Sequence, residues 1–152
     1  PEILVIVLEN KSGFHRLADS LKHQTYSRWK LCKIRELNDV VEILKEAKEE
    51  YVLITQPEDE LSADAFFQCV KSFECRQKQL KQFYSDDDII KNETEYEEPA
   101  IKPDLNLDML RSCNYIHNFL LVKRNFVRNC LRSVWKVGMD KLTGSMTLYF
   151  DA

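Results

Sequence analysis

Ile3–Leu8 is an unbroken apolar run of strand length, and Tyr51–Thr55 is another. Continuous runs, unlike alternating ones, mark strands covered on both faces. Ser12 can cap a helix in which Phe14, Leu17, Ala18 and Leu21 make one apolar stripe. Trp29–Ile34 reads as a further strand, and Asn38 as the cap of a helix that buries Val40, Val41, Leu44 and Ala47. Ser62 then caps a third helix, with Phe66, Cys69, Val70 and Phe73 at helical spacing. This β-α-β-α-β-α order predicts a mainly parallel sheet with right-handed crossovers. In such sheets ligands bind beyond the carboxyl ends of the strands. Those ends are Glu9-Asn10, Arg35-Glu36 and residues 56–60.

The second half is less regular. Residues 80–85 predict a strand, 88–97 a hairpin turning near Asn92-Glu93, and 104–113 a short helix. Residues 117–123 alternate as a strand does, and 125–135 read as a helix. There is no internal repeat, linker or low-complexity segment. The 152 residues fit one domain, 1–152. The first residue is Pro1, which suggests a fragment of a longer protein whose other domains are partners.

Net charge is −3 with the two signs interspersed, so nucleic acid is not an expected partner. The longest apolar run is too short to cross a bilayer. The five cysteines, Cys32, Cys69, Cys75, Cys113 and Cys130, are odd in number and lack C-x-x-C spacing. That argues against a zinc site or a disulfide framework and predicts free, mostly buried thiols in a reducing compartment.

Only three glycines occur, Gly13, Gly138 and Gly144, and none makes a glycine-rich loop between strand and helix. A dinucleotide fingerprint and a P-loop are therefore absent. A phosphate ligand would need another device, such as carboxylates holding a divalent cation. Glu58-Asp59-Glu60 and Asp86-Asp87-Asp88 follow the third and fourth strands and are candidates, although acidic turns are common on surfaces. His15, His23 and His117 show no ligand spacing.

Several segments resemble glycosyltransferase family 2. Ser20-Leu21 with Gln24-Thr25-Tyr26 and Trp29 is similar to its "S-L-x-x-Q-T-Y-x-x-W" stretch. Residues 51–65 resemble "Y-V-x-x-L-D-x-D-D-x-L-x-x-D-A". Tyr84-Ser85-Asp86-Asp87-Asp88 resembles the "Y-S-D-E-D" of bacterial members that build cell-surface polysaccharide. Lys102-Pro103-Asp104, Asp108, Leu110 and Ser112 to Ile116 resemble "K-P-D-x-x-x-D-x-L-x-S-x-N-Y-I", and Lys123-Arg124 the basic pair after the next strand. The resemblance implies a GT-A fold, a Rossmann-like three-layer α/β/α arrangement with a nucleotide-binding half (1–79) and then a mixed-sheet acceptor-side half (80–152). It also implies transfer of a sugar from a nucleotide-diphosphate sugar to a saccharide acceptor hydroxyl, with a carboxylate base and a divalent cation, manganese or magnesium. It implies a cytoplasmic domain, at the inner face of the membrane through the parent protein.

Carried over position by position, the resemblance puts Glu9, Arg35, Glu36, Gln56, Asp86 and Lys102 at the donor and Glu58 and Asp59 at a metal. Thr147 stands where the base is expected, with Asp151 a nearby carboxylate out of register. Lys102, flanking the cleft with Asp86, is expected to be an exposed functional side chain whose removal costs little stability, and Tyr115 and Ile116 are expected in the core. Arg35-Glu36 replace the usual Asp-Asp pair, and Gln56-Pro57-Glu58 replace the D-x-D. Gln56 supplies no anionic ligand, and threonine is a poor general base near neutral pH. The alternative reading is thus a catalytically silent module that serves substrate binding or assembly in a larger enzyme.

Overall fold

The computed structural model describes residues 1–8, 14–36, 38–75, 80–91, 95–117 and 119–134, with side chains as far as residue 129. The first half follows the apolar pattern. Strands β1 (Ile3–Leu8), β2 (Trp29–Ile34) and β3 (Tyr51–Thr55) alternate with helices α1 (Phe14–Lys22), α2 (Asp39–Glu46) and α3 (Ala65–Cys75). Next come β4 (Gln82–Tyr84), the hairpin of β5 (Asp87–Lys91) and β6 (Glu95–Ala100), α4 (Leu107–Ser112), β7 (Leu120–Lys123) and α5 (Arg124–Val134).

The central sheet has the order β2-β1-β3-β7-β4, and β5 and β6 form a separate two-stranded sheet. β1 pairs in parallel with β2 and with β3. β7 is antiparallel to both β3 and β4, which makes the sheet mixed and leaves β4 running in the direction of β3. Both long apolar runs are interior strands, as expected, although β3 is parallel on its β1 side only.

Alternate residues of the strands fill two cores. Ile3, Val5, Val7, Leu53 and Leu121 pack with Leu17 and Leu21 of α1 and Phe66, Val70 and Phe73 of α3. Leu4, Ile6, Val52 and Val122 pack with Val40 and Leu44 of α2 and Val127 of α5. Helices therefore cover both faces of the sheet, the three-layer α/β/α arrangement expected for a GT-A fold. Burial on both faces is why the strands read as continuous apolar runs.

Four local expectations need correction. Asn38 sits in the right-handed helical region and its side chain caps nothing. Instead the Asp39 carboxylate accepts from the backbone N–H of Arg35 and Glu36, closing the β2–α2 turn. Ser62 lies three residues before α3 and donates to Asp64, the residue next to the helix. His117 and Phe119 precede β7 instead of belonging to it. Among the four cysteines described, Cys69 is buried and Cys32 half-buried, but Cys75 and Cys113 are exposed, so the thiols are not mostly buried. Ser12, the hairpin turn at Asn92-Glu93 and Trp135 lie outside the described residues.

Candidate functional site

The strand directions create the site. The carboxyl ends of β1, β2, β3 and β4 and the amino end of β7 share one edge of the sheet. Segments that leave or enter at this edge are brought together whatever their distance in sequence. A cavity of about 580 Å3 opens there, within the roughly 300–1,000 Å3 typical of ligand pockets. Thr55, Glu58, Asp59, Glu60, Leu61 and Ser62 line it from the end of β3, and Ser85, Asp86, Asp87 and Asp88 from the end of β4. Ile90 and Tyr96 of the hairpin and Phe119 before β7 complete much of the wall. The two acidic clusters, about thirty residues apart in sequence, thus face one space.

The loop after β3 is held from below by scaffold contacts. Asp59 Oδ2 accepts from Thr55 Oγ1 at 2.6 Å and from the Gln56 backbone N–H at 2.8 Å, which fixes the turn. The Gln24 amide, 9% exposed, donates to the Ser62 carbonyl at 2.7 Å and accepts from the Phe66 N–H at 3.2 Å. Thr25 N–H donates to the Ala63 carbonyl at 2.8 Å. The Gln24-Thr25 pair therefore pins the entrance of α3, a structural role for a motif picked out by resemblance.

The second acidic segment is also anchored. Lys102 donates its backbone N–H to Asp86 Oδ1 at 2.7 Å. Its Nζ, with the side chain only 3% exposed, donates to Asp87 Oδ2 and to the Ile116 carbonyl, both at 2.8 Å. His117, at φ 57°, places Nδ1 3.0 Å from the same Asp87 oxygen. Lys102 was expected to be an exposed side chain whose removal costs little stability; its ammonium is instead buried in a structural ion pair. Tyr115 and Ile116, expected as core, are 8% and 5% exposed. The Tyr115 hydroxyl accepts from the Asn106 N–H, and Tyr84 donates to the Pro103 carbonyl at 2.7 Å. Burial, with the Tyr115 hydroxyl beside it, pushes the Tyr84 phenol up to about 12.

On the opposite wall Tyr96 Oη donates to Glu60 Oε1 at 3.1 Å, and Arg16 Nη1 of α1 approaches Glu60 Oε2 at 3.4 Å. The hydrogen bond to Glu60, with its negative charge, raises the Tyr96 phenol above its usual value.

Of the residues carried over by resemblance, Glu58, Asp59 and Asp86 share the cavity and Lys102 sits behind Asp87. Gln56 is on the same turn but does not line the cavity, and Arg35 and Glu36 lie two strands away, exposed, at the end of β2. Glu9, Thr147 and Asp151 lie outside the described residues. Sequence reading missed Tyr96, Phe119 and Arg16. Only the expected 88–97 hairpin hinted at Tyr96, because pairing folds it back beside Ile90.

Chemically, the wall is acidic. No lysine or arginine is among the described lining residues. At 4 Å, each carboxylate–phosphate charge pair costs about 1 kcal/mol in water and about 4 at an effective dielectric of 20. Among the described residues, no three His, Cys, Asp or Glu side chains gather as a metal-ion site. Among the described residues, the protein groups do not make a preformed metal centre.

The comparison that bears on this geometry is structural. The chain is similar in fold to S. aureus TarS. The crystal structure of TarS 1-349 in complex with UDP-GlcNAc matches with a TM-score of 0.63 at 11% identity, covering 85% of this chain and 47% of that one. The complex with UDP gives 0.62 at 11% identity, covering 85% and 48%. A further crystal structure of S. aureus TarS gives 0.52 at 12% identity, covering 85% and 29%. The chain thus spans about half the length of the TarS 1-349 structures or less of the longer one. No protein-family model matches it, and no curated protein matches it in sequence. Likeness at this identity establishes the fold, an α/β GT-A type with a mixed central sheet. Among the described residues, no helix is long and apolar enough to cross a membrane.

Proposed function

We propose that this chain is a glycosyltransferase-type module that binds a nucleotide-diphosphate sugar at the carboxyl edge of the sheet and passes the sugar to an acceptor hydroxyl in glycan biosynthesis. The observation that carries the proposal is the convergence of Glu58-Asp59-Glu60 and Asp86-Asp87-Asp88 on one cavity at that edge of a GT-A fold. The bound UDP-GlcNAc and UDP in the TarS structures support the choice of ligand class. In the transfer, the acceptor oxygen forms a bond to the anomeric carbon as the carbon–oxygen bond to the diphosphate breaks, and a carboxylate takes the hydroxyl proton. We assign that base to Asp88. It lines the cavity, whereas Asp86 and Asp87 are engaged by Lys102. Glu58 and Asp59 would hold a manganese or magnesium ion, which would supply positive charge toward the departing diphosphate.

The test is acceptor-dependent release of nucleotide diphosphate from UDP-GlcNAc with oligosaccharide acceptors. Asp88→Asn should lower the rate by about a hundred- to ten-thousand-fold. A second reading, a silent binding module, is favoured by Asp59 being committed to its own turn and by Gln56 at the D-x-D position. Binding without release selects that reading, and absence of binding rejects both.

A further inference from the structure

Resting on the nucleotide-sugar reading, we infer that the cavity takes the uncharged saccharide ring and not the diphosphate, and that Tyr96, with the Glu60 carboxylate it donates to, recognises that ring. Three observations converge. The described lining presents carboxylates from two segments and no ammonium or guanidinium, so an oxyanion placed there meets like charge. A sugar ring carries no charge, and its hydroxyls donate to carboxylates. The wall is also partly apolar, with Ile90, Tyr96 and Phe119 positioned to cover the C–H faces of a ring.

The third observation is how Glu60 is held. One of its oxygens accepts from Tyr96 Oη at 3.1 Å and the other lies 3.4 Å from Arg16 Nη1. These partners come from β6 and α1, so the carboxylate is oriented by two separate elements. A fixed carboxylate has acceptor capacity left for a pair of ring hydroxyls. Tyr96 is 59% exposed although its hydroxyl is bonded, which leaves much of the ring available for stacking. Its amphipathic shape suits a sugar, with an apolar face toward C–H groups and a polar edge toward hydroxyls.

The experiment is calorimetric titration of the full chain with UDP-GlcNAc and with UDP, for the unmodified protein, Tyr96→Ala, Tyr96→Phe and Glu60→Gln. Tyr96→Ala should weaken UDP-GlcNAc roughly three- to tenfold while UDP stays within about twofold, the scale of a lost aromatic contact. Tyr96→Phe should retain most of the discrimination because the ring remains. Glu60→Gln should lose part of it, again for UDP-GlcNAc only. An unchanged melting temperature for Tyr96→Ala, expected for an exposed side chain, shows that the fold is intact. Equal loss for both ligands, or none for either, overturns this inference and leaves the nucleotide-sugar reading standing. Failure of the unmodified chain to bind either ligand overturns both.

Discussion

The sheet core and the hairpin differ in almost every physical respect. In the core, Ile3, Val5, Leu53 and Phe66 are fully excluded from solvent, and β1 and β3 are buried between helix layers. In the hairpin, Ile89 and Tyr96 are 57% and 59% exposed, and β5 and β6 pair only with each other. The hairpin is tied back by polar contacts, Lys102 to Asp86 and Asp87 at its base and Tyr96 to Glu60 along β6. Apolar burial therefore makes the scaffold, and a few directed bonds place the hairpin wall of the candidate site upon it. On the proposed reading, stability and recognition are housed in different parts of the molecule, so they should respond to different substitutions.

The sharpest way to break this contrast is to compare Phe66→Ala with Ile89→Ala. Phe66 is buried between α3 and the sheet, with its ring edge-on to Trp29 at 6.5 Å between centroids. Its truncation should cost about 3–5 kcal/mol. Ile89→Ala should stay within about 0.5 kcal/mol. Urea denaturation measures both. Similar losses would mean that the hairpin is part of the core.

Lys102 sharpens the comparison where the two regions meet. Lys102→Met removes the donor from Asp87 and from the Ile116 carbonyl while keeping the apolar stem. The groups left without their donor should cost about 1–3 kcal/mol in the same denaturation measurement. A neutral effect would contradict the structural role assigned to this amine.

A smaller effect belongs to the far end of the sheet. Glu49 is 6% exposed and accepts from Lys30 Nζ at 2.6 Å and from the Lys48 N–H at 3.0 Å. The bond from Lys30 holds the Glu49 carboxyl below its ordinary value. A folded pKa below the unfolded one contributes stability above the unfolded value, near 4.5, and loses it as pH falls through the folded one. Lys30 is 62% exposed, which keeps the pair to about 1 kcal/mol or less. Glu49→Gln should flatten the acid limb of stability below about pH 4.5 and leave ligand binding unchanged.

How much of this was legible in the sequence follows the same division. The runs 3–8 and 51–55, and the stripe of Phe66, Cys69, Val70 and Phe73, reported their environment directly, because burial on both faces admits only apolar residues. The pairing of β5 with β6 matches the hairpin read at residues 88–97. The central sheet's antiparallel portion was not legible, since a short strand such as Leu120–Lys123 carries no mark of its direction. At the site, the acidic clusters stood out by composition, but their meeting across one cavity depends on β4 running with β3. Lys102 was misread as exposed because lysine usually is. Tyr96 went unnoticed because one tyrosine on an exposed strand resembles any other until the fold brings Glu60 opposite it. Asn38 failed as a cap because Asp39, one residue on, already holds the turn amides.

The central claim is that ligand enters between the two acidic segments at the carboxyl edge of the sheet. Amide chemical shifts of the isotopically labelled chain, followed while UDP-GlcNAc and manganese are added, test it most directly. The account predicts shifts at residues 55–62, 85–90, Tyr96 and Phe119, with Glu49 and Arg124 at the opposite edge unmoved. Shifts confined to that opposite edge, or none at saturating ligand, would contradict it.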